Sequence, residues 1–320
     1  MAKQSYKLKV KPQEICILDS VYTLLVYLLA NNCNVKDVLF IFHSHIPDSI
    51  ASYFDYVRGY GWGKYMFSLR YIFHNIFCGL KFHLFMSFNN LYGVKYSGMD
   101  HLPLSRRLIN RKGSEFYEYE DGIGSYQVTN AFVKNNFLHR LLNLDVEPFF
   151  GQSSKVKKVF LTHPEMSIPD FIKPKVEWVD LKERWDSLTD EQRLWVLKIY
   201  NIPSLDEIGS RKVLLFTRPF EYAGVSEAEK IDVFRRSLEG VDYNDVIIKP
   251  HYTETTDYAK EYPGSLVLAG SFPLELIFLA YGVKFEKVVT VGYCTVELFI
   301  NKYYPNINFT KFKDERYDTL

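Results

Sequence analysis

The chain has 320 residues, 47% hydrophobic and 24% charged, with a formal net charge of +1. This is apolar material for about two globular domains, and the balance gives no global basic field of the kind nucleic-acid binding uses. Its four cysteines, Cys16, Cys33, Cys78 and Cys294, are scattered, which speaks against a zinc site or a disulfide framework and for a reducing, cytoplasmic setting.

The N-terminus is basic but lacks an apolar core at signal-peptide spacing. No apolar run reaches the roughly 18 residues that a membrane span needs. Residues 65–88 come nearest and are broken by Arg70, His74, Lys81 and His83. That stretch reads either as an aromatic, basic face against a membrane surface or as a buried helix followed by a strand.

Residues 14–18 form a first buried strand, and 22–30 a helix behind Asp19 and Ser20. Asn31, Asn32 and Asn34 break it. Residues 38–42 are a second strand ending at His43-Ser44-His45. Strand, helix, strand at the outset predicts a parallel unit. Residues 80–88 read as a further strand, 96–102 as a short strand with a polar turn at Asp100-His101, and 104–110 as a basic helical piece. Phe116, Tyr117 and Tyr119 suit a strand that stops at Glu120-Asp121-Gly122. Residues 130–144 are helical in pattern, and 145–156 read as a linker.

A strand over 157–162 runs to His163-Pro164, and 190–199 is a helix with Thr189 and Gln192 as a capping box. Residues 211–256 then hold a strand, an amphipathic helix over 227–238 behind Ser226 and Glu229, and a strand over 246–248. The last strand is apolar without alternation, the pattern of a strand buried on both faces in a parallel sheet. It runs into Lys249-Pro250-His251. Strands over 266–268 and 287–291 follow, with helices over 274–281 and 296–301. The predicted fold class is therefore α/β, with two Rossmann-like domains, 1–150 and 151–320, facing across a cleft.

Polar groups follow predicted strands at 120–124, 249–253 and 292–295, and Gly270, Ser271, Phe272 and Glu275 lie at the start of a helix. In a parallel sheet such loops share the carboxyl edge, where ligands bind, and helix N-termini there attract phosphate. Taken singly, an acid-acid-Gly turn is also an ordinary solvated turn, and a histidine after a strand is also an ordinary structural one.

Glu120-Asp121-Gly122, Lys249-Pro250-His251 and Cys294-Thr295 together resemble the three ordered motifs of bacterial sialyltransferases and polysialyltransferases: an acid-acid-Gly turn, a His-Pro motif and a paired Ser/Thr motif. Thr217-Arg218-Pro219, Thr-Thr-Asp-Tyr at 255–258, and Phe272-Pro273 with Glu275 extend the resemblance. Tyr252 stands where the family has Pro after the histidine, and Cys294 where it has Ser or Thr. A literal His163-Pro164 lies outside the central strand-helix-strand context and reads as a decoy.

The resemblance implies a GT-B, inverting transferase that uses CMP-sialic acid, with no cofactor and no metal, acting on a cell-surface glycan of capsule or lipooligosaccharide type. It places the general base at Glu120, with Asp121 supporting. It puts the CMP phosphate at His251, aided by Lys249 and Pro250. Thr217, Arg218, Gly270, Ser271, Phe272, Cys294 and Thr295 belong to the donor site, Glu275 to the ribose, and Asp100 and His101 to the acceptor. A peripheral position on the inner membrane face follows from the same family logic. Transfer of Kdo from CMP-Kdo, transfer of polyol phosphate from a CDP donor, and a catalytically silent nucleotide- or carbohydrate-binding protein remain open alternatives.

Overall fold

The order in which apolar strands return to the sheet organises this chain. The computed structural model describes residues 8, 10–59, 69–111, 113–127, 149–220, 224–282, 285–292 and 294–313, with backbone alone for 69–76. It divides into two compact units, Met1–Leu188 and Thr189–Leu320.

The first unit contains β1 (Glu14–Leu18), β2 (Val38–Phe42), β3 (Tyr56–Arg58), β4 (Lys95–Gly98), β5 (Phe116–Tyr119), β6 (Val156–Leu161) and β7 (Val176–Trp178). They form one parallel sheet in the order β3-β2-β1-β4-β5-β6-β7. Every residue of β1 and β2 is buried, as expected of strands covered on both faces. Glu14 is the polar exception. Its carboxylate accepts from Tyr27 Oη at 3.2 Å and Lys95 Nζ at 2.8 Å, which ties β1 to the next helix and to β4. Gly98 closes the β1–β4 seam. Its φ is +114°, and a Cβ there would lie 2.0 Å from the Ile17 carbonyl oxygen, so only glycine fits.

The second unit contains β8 (Val213–Phe216), β9 (Val246–Lys249), β10 (Leu266–Val267), β11 (Lys287–Val291) and β12 (Asn308–Phe312), parallel in the order β10-β9-β8-β11-β12. Helix Glu227–Ser237 joins β8 to β9 and buries Val233 and Phe234 against Val213, Leu215, Val246 and Ile248. The capping boxes predicted at Thr189–Gln192 and Ser226–Glu229 are both present.

In each sheet the chain steps outward from its first strand to one edge, then returns to lay the next strand on the other side. The reversal falls between β1 and β4 in the first sheet and between β8 and β11 in the second. Such switch points leave a crevice outside the carboxyl ends of the strands.

Three expectations are corrected. The domain boundary at 150 falls inside the first unit: β6 pairs with β5 and β7 with β6, so residues 156–178 complete the first sheet. The supposed linker is fastened to that sheet, because the Phe150 and Gly151 amides each donate to Asp100 at 2.8 Å. Residues 80–88 are not a strand but the end of helix Leu69–Phe88, in which Met86 faces the core while Leu80 and Leu84 are exposed. The helix expected over 130–144 lies outside the described residues.

Candidate active site

Polar residues line the carboxyl edge of the first sheet because each strand ends on one. β1 gives way to Asp19, β2 to His43, β4 to Asp100-His101, β5 to Glu120-Asp121 and β6 to Thr162-His163. The two neighbouring acids after β5 have different surroundings. Glu120 is fully buried, and its Oε2 accepts from Tyr126 Oη at 2.6 Å, the Thr162 amide at 2.6 Å and Thr162 Oγ1 at 2.8 Å. Tyr22 donates to Oε1 at 3.2 Å. Burial raises the Glu120 pKa, and His163, Tyr126 and Thr162 oppose the rise. Such a buried carboxylate, taking four hydrogen bonds, ties strand ends together.

Asp121 is the open member of the pair. Its side chain keeps 27% exposure, and Oδ2 lies 3.6 Å from His101 Nε2. The Thr23 hydroxyl reaches Oδ1 at 3.4 Å, and the Asp121 amide donates to Ser125 Oγ at 2.9 Å. Burial raises the Asp121 pKa, with His101 opposing and Asp19 adding to the rise. Asp100 is buried and holds the backbone at 150–151, so its carboxylate serves the architecture, while His101 stands beside Asp121 and 5.1 Å from the Phe150 ring. Asp19 pairs with His45 through the ring at 3.0 Å and the amide at 2.9 Å. His43 is buried with neither ring nitrogen hydrogen-bonded, and burial lowers its pKa to about 4, which keeps it neutral.

The second sheet's edge is built around a residue that the sequence does not single out. Glu254 accepts from Thr217 Oγ1, from the His251 amide at 2.9 Å and from Tyr258 Oη at 2.7 Å. Its other charged neighbour is Lys230 Nζ at 3.3 Å, and both side chains are almost fully buried. Through Glu254 the loops after β8 and β9 become one piece. His251 is half-buried, with Nδ1 2.8 Å from Thr253 Oγ1 and its ring 4.3 Å from that of Tyr252.

Lys249 does not project from the edge as expected. Its ammonium turns inward onto the carbonyls of Pro250 at 2.9 Å and Gly270 at 3.1 Å, above the Phe272 ring. Burial lowers its pKa to about 7, and burial raises that of Glu275 to about 7. Gly270 is held so close that a Cβ would lie 3.1 Å from Tyr252 Cα. Cys294 has its pKa pushed up to about 12 by burial and stays a neutral thiol. Thr295 is the N-cap of helix Val296–Tyr303, with no side-chain capping bond, and Arg218 and Ser271 are half-buried nearby in sequence order after β8 and β10.

The predicted residues thus gather in two groups, each on one sheet edge: Asp100, His101, Glu120 and Asp121 on the first, Thr217, Arg218, Lys249, Pro250, His251, Gly270, Ser271, Phe272, Glu275, Cys294 and Thr295 on the second. Sequence reasoning misses four residues. Tyr22, Thr162 and Glu254 carry no sequence signal beyond their position. His163 carries a His-Pro signal, but outside the central strand-helix-strand context; it is buried, with Nε2 4.0 Å from Glu120 and Nδ1 3.1 Å from Glu165. Among the described residues, no three or more His, Cys, Asp or Glu side chains group as a metal site.

The family model of glycosyltransferase family 52 matches residues 35–311. A Photobacterium phosphoreum α/β-galactoside α-2,3-sialyltransferase structure superposes with a TM-score of 0.56 at 13% identity, covering 96% of this chain and 92% of that one. The GT-B domain of a Photobacterium damselae sialyltransferase gives 0.51 at 10% identity, covering 92% and 90%. At these identities the likeness concerns the fold, which is GT-B. An uncharacterized Haemophilus influenzae protein is 32% identical over 197 residues, and the chain spans 61% of the length of that relative.

Proposed function

The chain belongs to glycosyltransferase family 52, and on that premise we propose that it transfers sialic acid from CMP-sialic acid to a hydroxyl of a cell-surface glycan, with inversion and without a metal. The observation that carries this reading is Asp121: a partly open carboxylate on the carboxyl edge, one strand beyond the switch point, with burial raising its pKa and a histidine at its side. A carboxylate of raised pKa is a better proton acceptor. In this reading Asp121, not Glu120, takes the proton of the acceptor hydroxyl. The oxygen attacks the anomeric carbon, the bond from that carbon to the phosphate oxygen breaks, and CMP leaves with the electron pair. Glu120 positions Asp121 by tying the end of β5 to Tyr22, Tyr126 and Thr162.

The donor is assigned to the second unit. His251 meets the departing phosphate charge, Glu275 the ribose, and Thr295 with the amides after it the remaining anionic group. Lys249 acts from behind, fixing the loop between Pro250 and Gly270. The galactoside named for the Photobacterium phosphoreum enzyme supports a galactose-ended acceptor, of capsule or lipooligosaccharide type. The protein is placed in the cytoplasm, peripherally on the inner membrane face. No helix among the described residues is long and apolar enough to cross a membrane.

Thermal-shift titration with CMP, CDP and UDP tests the nucleotide, and CMP should stabilise most. A preference for UDP over CMP would sink the reading. Mass detection of product from CMP-sialic acid or CMP-Kdo on a simple β-galactoside then identifies the sugar.

A further inference from the structure

Charge is segregated along this chain. Residues 56–114 carry nine Lys or Arg and a single acid, Asp100, and Asp100 is buried beneath the amides of Phe150 and Gly151. That segment is strongly positive within a chain whose net charge is +1. Helix Leu69–Phe88 runs through it and contains no carboxylate at all.

The same helix turns an apolar stripe outward. Phe77, Leu80, Leu84 and Phe88 are 56%, 55%, 55% and 79% exposed. Spacings of three and four residues set them along one face, while Gly79 and Met86 are buried on the other. Scattered exposed apolar residues are ordinary; a stripe of four large ones on one helix is not. Its rim is basic. Lys81 places its ammonium 4.4 Å above the Phe77 ring. Exposed Arg111 stacks 3.6 Å above Tyr92, while Arg107 lies against Gly79 on the buried face.

We propose that this face docks on an anionic lipid surface. Phe77, Leu80, Leu84 and Phe88 enter the boundary between headgroups and acyl chains, and Lys81 and Arg111 meet lipid phosphates. The long basic side chains suit that depth, since their stems are apolar and their heads reach back toward water. A second copy of this chain fits the face less well. Two such faces would set Lys81 and Arg111 against their own counterparts, and residues 56–114 offer no exposed acid to compensate. Nucleic acid would answer the charge and leave the stripe unused. The proposal gives the peripheral placement above its surface and its lipid chemistry, and rests on that placement alone; vesicle binding is read without donor, acceptor or turnover, so it fails or stands apart from the CMP titration.

Flotation of the full-length protein with phosphatidylcholine vesicles, with and without phosphatidylglycerol, is the test. Binding should need the anionic lipid and weaken as salt is raised. The double substitution Phe77→Ser/Leu84→Ser should weaken binding by more than about tenfold. Lys81→Glu/Arg111→Glu should do the same by about tenfold or more. Both variants should keep the wild-type Tm, because these side chains are exposed. Three results would overturn the proposal: no flotation with either lipid, equal flotation of wild type and the Phe77→Ser/Leu84→Ser variant, or a solution dimer that this variant dissolves.

Discussion

In the first sheet the strands around the switch point end in Asp19, Asp100 and Asp121, with His43, His45, His101 and His163 among them. In the second, the strands around the switch point end in Thr217-Arg218, Lys249-Pro250-His251 and Cys294-Thr295. One topology therefore carries acids and histidines on its edge in one unit and hydroxyl, basic and thiol groups in the other. The sheets supply the crevice, and the one or two residues after each strand supply the chemistry. The edges also treat their buried charge differently. The first leaves one carboxylate, Asp121, partly open beside a neighbour, Glu120, that is fully bonded. The second gathers one of its buried acids, Glu254, into a joint that holds two loops at once.

The division of labour at the first edge gives the largest expected effect. Asp121→Asn should lower transfer about a thousandfold while leaving CMP-induced stabilisation unchanged. Glu120→Gln should act mainly on stability, by about 2 kcal/mol, since it turns an amide toward hydroxyl and amide donors. Rates and melting curves measured together decide; a larger rate loss for Glu120→Gln would return the base role to it. At the second edge, Glu254→Ala should cost about 3 kcal/mol, because it leaves Lys230 short of a buried counter-charge and strips an acceptor from Thr217, Tyr258 and the His251 amide. Calorimetry would show this as a lowered transition, and an unmoved one would mean that Glu227 and Thr256 suffice for Lys230.

The smallest effect returns to the first edge. In the proposed base role Asp121 works only when ionised, so activity should be present above its pKa and be lost as pH falls through it. His101 opposes the burial that raises this pKa. His101→Gln should therefore move the acid limb of kcat/KM to higher pH and leave the high-pH plateau near that of wild type. A limb that stays in place would detach His101 from Asp121.

Much of this is legible in the sequence. Glu14–Leu18, Val38–Phe42 and Val246–Lys249 are short and apolar without alternation, and a strand covered on both faces is the element that such a run between turn residues forms. The capping boxes at Thr189 and Ser226 are local chemistry and stand where the sequence puts them. The edge strands Tyr56–Arg58, Val176–Trp178 and Asn308–Phe312 are not legible, being short, half-buried or mixed in polarity. The turn at 150–151 resembles a linker by composition, and only the three-dimensional position of Asp100 shows what its amides do. Residues 80–88 are aromatic enough to read as a strand, and the glycine at 79, the usual mark of an element end, is instead the space that Arg107 occupies. The place of Lys249 at a strand end does not fix the direction of its side chain. Glu254 sits in a Tyr-Thr-Glu-Thr-Thr turn that resembles any solvated loop until Lys230 arrives from a helix twenty-four positions earlier.

The seam at Gly98 sets a schedule for synthesis. Among the described strands β1 leaves the ribosome before the others, and its partner on one side, β2, follows closely. Its other partner, β4, pairs Ile17 with Gly98 and so is made 81 residues later. At about 5–20 residues per second that interval is roughly 4–16 seconds. Through it the nascent chain carries an apolar strand with one open edge, the form in which unfinished chains find wrong partners. The second unit starts only after β7 is complete and shares no strand with the first, so the hazard ends before the second sheet begins.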